Sequence, residues 1–318
     1  MAASGAVLRH DSLGDPSHGA CMSNTEQLQT LTPDDYPGLF QAADGASVHQ
    51  QRTFLRAVRS RLVLTVSAAT FAAFALRIGD SQIDLFAVGT ALAFVGAMVI
   101  ELAIVGTRPD KVWYEGRALA ESVKTLTWRY VSGAAPFPAD SERPDDEFTD
   151  RIRILQHDMP KVPLLPSTAS TITAKMRAMR ATPLAERKEA YLVGRVLDQQ
   201  DWYAGKARFH QRSARVFRTT MLIMEVVGVA GALAKAFGVV NFDLAGIVAA
   251  AVSAFAAWTA TRQHSATATA YVVASHELAV VRNLLDRDLD EQQWSAAVVD
   301  AESVISREHT MWHANRTR

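Results

Sequence analysis

Apolar residues in this chain are gathered into four runs rather than spread along it. Leu62–Leu76 reads LVLTVSAATFAAFAL. A polar stretch, RIGDSQID, separates it from Leu85–Gly106, LFAVGTALAFVGAMVIELAIVG. The pattern then returns: Thr219–Val240 reads TTMLIMEVVGVAGALAKAFGVV, and after the tip NFD comes Leu244–Ala260, LAGIVAAAVSAFAAWTA. Alternating strand periodicity is found nowhere. At about 1.5 Å of rise per residue, the second and third runs, of 22 residues each, are long enough for a hydrocarbon layer about 30 Å thick. The fourth, of 17, is near that limit, and the first, of 15, is short of it when taken alone. The pattern predicts an all-α integral membrane protein with two transmembrane helical hairpins, four spans in all, carrying long cytoplasmic stalk helices.

Charge decides the orientation. Arg52, Arg56, Arg59 and Arg61 precede the first run, and Arg108, Lys111 and Arg117 follow the second. Arg212, Arg215 and Arg218 precede the third, and Arg262 follows the fourth. The tips hold Arg77, Asp80 and Asp84 in one hairpin and Asp243 in the other. Positive charge at the open ends puts those ends, both termini and the middle of the chain in the cytoplasm. The expectation is a multi-pass protein of the cell inner (plasma) membrane, with the lipid bilayer as its first partner. The competing reading is a soluble bundle with two very apolar helical pairs, and the charge asymmetry weighs against it. The formal net charge is zero, which gives no bulk attraction to nucleic acid, and no nucleic-acid partner is expected. Cys21 is the single cysteine, so a disulfide framework is excluded. The leader MAASGAVLRHDSLGDP has no apolar core, so the first span is expected to act as the insertion signal.

Outside the runs the reading is coarser. Residues 1–47 are polar and without period, a disordered tail by composition. From Val48 the pattern turns helical, opening a first hairpin domain over 48–135. Thr107, Pro109 and Asp110 suggest a fresh helical start or a kink. Val112, Gly116, Leu119, Val123, Leu126 and Tyr130 then repeat with coiled-coil spacing, and Gly133 and Pro136 end the helix. Residues 136–182 carry six prolines and read as a linker, with short amphipathic pieces near Phe148–Gln156 and Ile172–Arg180. A second hairpin domain, 183–318, begins at Thr182-Pro183, and no breaker interrupts it before Gly228. The fourth span is expected to continue through Arg262 into a seam of Tyr271, Ala274, Leu278, Val281 and Leu285. Asp290 and Gln293 form a capping box for a last helix.

Three stretches carry a family resemblance. VWYEGRALAESVKTLTWRYVSGAAPF follows the first hairpin, ITAKMRAMRATPLAERKEAYLVGRVLDQQDWYAGKARFH precedes the second, and AESVISREHTMWHANR closes the chain. In that order they resemble the SLATT family, the SMODS- and SLOG-associating two-transmembrane effectors of prokaryotes, with two subtypes in tandem from about residue 48 onward. The resemblance implies a membrane effector of bacterial conflict and antiviral defence. Such a protein is switched by a nucleotide-type signal, oligomerises and permeabilises the membrane. No synthase or SLOG sensor is read in this chain. The trigger is therefore expected to be a nucleotide second messenger bound directly or a separate sensor or synthase protein.

Two kinds of candidate residue stand out. Glu101, Glu225 and Lys235 are ionisable groups within apolar runs, which marks them as pore-lining candidates. The plainer reading has the carboxylates solvated near the interface or paired with Arg108 and Arg218, and Lys235 snorkelling outward. Trp113, Arg117, Glu121, Lys124 and Trp128, with Tyr191, Arg195, Gln199, Trp202 and Tyr203, set arginine beside aromatics on helical faces. That combination suits either a nucleotide or the ion pairs and lids of a bundle. Without a phosphate loop the second is favoured. Glu302, Glu308, His309 and Trp312 lie on the last helix, where docking onto the stalk is favoured over metal or acid–base work. No cofactor is implied, and no nucleophile with its base assembles, so an enzyme is not expected. The leading expectation is an oligomeric, pore-forming effector. The alternative is a membrane-anchored scaffold or receptor that recruits a partner and conducts nothing.

Overall fold

The computed structural model describes residues 30–74, 83–158, 162–164 and 166–314, with 307–314 as backbone only. It is all-helical among these residues. After a 3-10 turn at Pro33–Asp35 the helices are α1 (Gly38–Ala72), α2 (Leu85–Thr107), α3 (Pro109–Ser132), α4 (Pro144–Asp158) and α5 (Ala174–Arg180). They continue with α6 (Leu184–Tyr191), a π-helical stretch (Leu192–Leu197), α7 (Asp198–Ala236), α8 (Leu244–Arg262), α9 (His264–Leu285) and α10 (Glu291–Ala314). The chain divides into two compact units. One takes the residues up to His49, Lys111–Ala207 and those from Thr269 on; the other takes Gln50–Asp110 and Arg208–Ala268.

The second unit holds the apolar runs. In its first hairpin Arg61 pairs with Glu101, Leu64 sits where a Cβ on Gly96 would come within 3.2 Å, and the Thr90 hydroxyl donates to the Ala68 carbonyl at 3.4 Å. Nearer the tip, Phe71 and Phe74 each lie 6.0 Å from Phe86, ring to ring. As one residue number rises the other falls, which is the register of antiparallel helices. The second hairpin follows the same rule: Phe217 meets Phe255 at 5.0 Å, Gly228 faces Val248, Gly231 faces Leu244, and Lys235 pairs with Asp243 at 3.3 Å. Glycine matters here because a Cβ at Gly231 would lie 3.1 Å from Leu244. Phe74, at the end of the described part of the first run, stacks on Phe242 of the second tip at 5.3 Å.

Three helical stretches, Leu85–Ser132, Leu184–Ala236 and Leu244–Leu285, are long and apolar enough to cross a membrane. The run at 62–76 ends among residues outside the described set, as do Arg77 and Asp80 of the expected tip. The apolar side chains face outward: Leu92 is 66 % exposed and Leu102 63 %.

The first unit has an ordinary core. Trp128, Phe137, Phe148, Tyr191 and Trp294 are completely buried. Its helices come from both halves of the sequence, including segments that composition alone marks as tail and linker. α1 begins at Gly38, ten residues before the expected start, and buries Leu39, Phe40 and Ala43. α4 and α5 insert Phe148, Ile152, Met176 and Met179 into the same core. α3 is buried well beyond a two-stranded seam, since Trp113, Ala120, Thr127 and Trp128 are enclosed along with Leu119 and Val123. Its last carbonyls, which no helical N–H can reach, accept from side chains elsewhere. Arg180 donates to the Tyr130 carbonyl at 2.7 Å, and Arg187 and Trp294 donate to that of Ser132 at 2.8 and 2.9 Å.

Two breaks separate span-like helices from those that follow. α2 ends at Arg108 and α8 at Gln263, both left-handed, with φ of 44° and 47°. Pro109 explains the first, because a proline disfavours α geometry in the residue before it. The expectation that the fourth run continues unbroken past Arg262 gives way to the second break. Thr107 does not cap α3: it is the last residue of α2, and its hydroxyl donates to the Ala103 carbonyl.

Candidate functional site

The expected motif residues converge inside the first unit. Arg195 lies in the π-helical stretch and is almost entirely enclosed. Its guanidinium forks onto Glu302 of α10, with Nε to Oε1 at 2.9 Å and Nη2 to Oε2 at 2.8 Å. The Glu302 carboxylate, fully buried, also accepts from the Tyr191 hydroxyl at 3.0 Å and the Thr125 hydroxyl at 2.8 Å. Four bonds therefore satisfy one carboxylate, as a buried charge requires. Burial alone would lower the Arg195 pKa, but Glu302, helped by Glu121 and Tyr191, turns the net shift upward. Burial, with Glu302 beside it, pushes the Tyr191 hydroxyl well above its ordinary value.

A second group lies in the same unit. Arg117 pairs with Glu121 at 2.6 Å, one turn along α3, and reaches Asp44 of α1 at 3.6 Å. Lys124 faces Glu121, Arg195, Arg117 and Asp198 without an ion pair or hydrogen bond among the described residues. Burial, opposed only in part by the carboxylates, lowers its pKa. Nη1 of Arg195 and the Trp202 indole N–H are likewise buried without an acceptor. Aromatic rings frame the polar groups. The Trp128 indole donates to the Tyr36 hydroxyl at 2.9 Å, Tyr191 stands edge-on to both Trp128 and Trp294, and Trp202 and Tyr203 meet Tyr271 at 5.3 and 5.4 Å. Trp113 is buried and its carbonyl accepts from Ser47. Gln199 is half-buried. The side chains of Glu308, His309 and Trp312 lie outside the described residues.

The candidates in the apolar runs do not meet one another. Glu101 pairs with Arg61, across its own hairpin, rather than with Arg108. Lys235 pairs with Asp243 at the tip of its own. Glu225 is exposed and makes no polar contact among the described residues. Sequence reasoning named Arg61 only as a flanking charge and did not single out Asp44, Thr125, Arg180 or Arg187 as partners. Asp44 and Thr125 act across tens of residues, and no local spacing marks such a partner.

Comparison with known families bears directly on this arrangement. Residues 37–188 match the model described as SMODS and SLOG-associating 2TM effector domain 3, and residues 191–312 match effector domain 1 of the same series. The chain belongs to the SLATT family. It is a tandem of two SLATT subtypes, each a two-transmembrane effector domain of SMODS- and SLOG-associated systems, and it is a membrane protein. No curated protein and no solved structure matches it. The join between the two SLATT matches falls at the end of α6, inside the first unit, and the Arg195–Glu302 pair lies wholly in the second match. Thr125 and Lys124, from the first SLATT match, meet that pair in one interior.

Proposed function

We propose that this protein is a membrane effector of a bacterial conflict or antiphage system. Its four apolar runs cross the inner membrane as two hairpins with both termini in the cytoplasm. On a cytoplasmic nucleotide-type signal the oligomer rearranges and permeabilises the membrane. The observation that carries the membrane part is the outward face of the runs: side chains such as Leu92, Leu102 and Val229, at 66, 63 and 62 % exposure, need an apolar solvent. The cationic residues at the open ends support this orientation.

The signal is assigned to the interior around Arg195. Its Nη1 and the Lys124 ammonium are cationic donors without an acceptor among the described residues, the chemistry an anionic signal would satisfy once the enclosing helices part. α7 runs unbroken from Asp198 to Ala236, giving a direct covalent route from that interior to the third run. The π-helical stretch preceding it is a geometry often found where helices adjust. Two discrete arrangements of this stretch would be the element a ligand biases.

The test is dye release from liposomes holding the purified protein, with candidate cyclic nucleotides or a partner synthase added. Release with one trigger, abolished by Lys124→Ala, supports the reading; a sealed vesicle under every trigger that halts growth in cells contradicts it. One observation favours a non-conducting scaffold instead. Arg61 neutralises Glu101, which leaves that carboxylate poorly placed to form an acidic collar. Under the scaffold reading Glu225→Ala is silent in cells and the protein captures a partner without leakage.

A further inference from the structure

At one end of the second unit, three arginines line one cavity, and no carboxylate among the described residues answers them. The cavity, about 470 Å³, is lined by Arg56 and Arg59 of α1 and Arg262 at the end of α8. Several arginines elsewhere are paired: Arg61 with Glu101, Arg117 with Glu121, Arg187 with Glu291 and Arg195 with Glu302. Arg56, Arg59 and Arg262 have no ion pair among the described residues. Arg56 and Arg59 are three residues apart and share a helix face. Three like charges around one space attract an anion into it.

The same space opens onto an apolar groove. A second cavity, about 550 Å³, shares Arg59, Phe217 and Trp258 with the first and is walled by Val66, Ala254 and other apolar residues of α1, α7 and α8. Trp258 marks the change from one to the other, with the Arg262 guanidinium 5.9 Å above its ring. The level also fits: Arg59 lies just before the first run, and Arg262 just after the fourth.

We propose that this is a binding site for an anionic glycerophospholipid. Arg56, Arg59 and Arg262 hold the headgroup phosphate, and the groove beside Val66 and Ala254 takes an acyl chain. The charge and the apolar wall together select this occupant. A zwitterionic lipid brings its own cation to the arginines, and a free phosphate leaves the groove uncovered. Basic pockets between membrane helices on the cytoplasmic side commonly bind such headgroups. The proposal rests on the membrane orientation given above and adds to it a lipid preference which that orientation does not require.

The test uses the full chain purified in a neutral detergent. Thermal unfolding and native mass spectrometry are followed with phosphatidylglycerol, phosphatidylcholine or inorganic phosphate added. Phosphatidylglycerol is expected to stay bound and to raise Tm by about 3 °C or more over phosphatidylcholine, with inorganic phosphate doing neither. The triple variant Arg56→Gln, Arg59→Gln, Arg262→Gln loses the preference and keeps the Tm seen with phosphatidylcholine. Ala254→Trp, which fills the groove and leaves the arginines in place, loses the retained lipid. Equal response of the wild type to both lipids overturns the proposal, as does a triple variant that still prefers phosphatidylglycerol. A shift reproduced by inorganic phosphate alone shows an anion site and overturns the lipid assignment. A protein that is soluble without detergent defeats the membrane reading itself, which is a separate failure.

Discussion

The two units of this chain solve opposite problems with the same helices. The first hides its aromatics: Trp128, Tyr191 and Trp294 are fully enclosed, and it pairs Arg195 with Glu302 inside. The second turns its apolar residues outward and encloses little beyond Val58, Ala68, Ala93, His210, His264 and Ala268. In the first unit, packing against neighbours supplies the stability. In the second, close glycine contacts hold each hairpin while the surrounding solvent must supply the rest. The same substitution should therefore have different consequences in the two.

The largest effect is expected where a charge is buried. Glu302→Ala leaves Arg195 enclosed without its partner and should cost about 3–5 kcal/mol, read from chemical unfolding of the first unit's tryptophans in detergent. Arg195→Met with Glu302→Leu should recover most of that loss. If the double variant is no better than the single, the charges are not the reason. Next comes a matched pair of polar substitutions. Leu119→Ser in the buried core should destabilise by about 2–4 kcal/mol. Leu92→Ser on the outward face should change detergent stability by under about 0.5 kcal/mol while reducing membrane insertion. Equal losses at the two positions would erase the contrast between the units.

Gly231→Leu should loosen the second hairpin by about 1–3 kcal/mol, since Leu244 already occupies the space, whereas Gly106→Leu, with no atom within 4 Å of its Cβ position, should be tolerated. The smallest effect concerns pH. The Nδ1 atoms of His264 and His210 lie 2.9 Å apart, so that one imidazole donates to the other. Burial first, then the charge of Arg262, holds the His264 pKa below its ordinary 6.5, and the rings facing it are Phe209 and Phe217. The folded state therefore binds the proton less well than the unfolded state. Stability from this group is full above pH 6.5 and falls as pH drops below it. A Tm that slopes downward below pH 6.5 in the wild type, and less so in His264→Gln, is the expected result.

What the sequence made legible was local. Four apolar runs, the helix end at Gly133, the Asp290–Gln293 capping box and the Arg117–Glu121 pair each follow from residues within a few positions of one another. What it hid was long-range. Gly38–Ser47 looks like polar tail because its burial depends on α3: a Cβ on Gly116 would lie 3.2 Å from the Ala43 carbonyl, and Ser47 donates to the Trp113 carbonyl. The prolines of 136–182 suggest a linker, but Phe148 and Met176 become core residues only once helices from the other half surround them. Glu302 stood out in the sequence, whereas Thr125 did not, and 177 positions separate the two. The break at Gln263 has no local sequence cause that we can identify.

The central claim is that the second unit lies in lipid with both tips on the outer side. It is tested most directly by cysteine labelling in intact spheroplasts, in a Cys21→Ser background, with a membrane-impermeant maleimide. Asn241→Cys, at the second tip, should label before lysis, and Asp140→Cys, in the first unit, only after it. Labelling of Asp140→Cys in intact spheroplasts, with Asn241→Cys protected until lysis, would contradict the account.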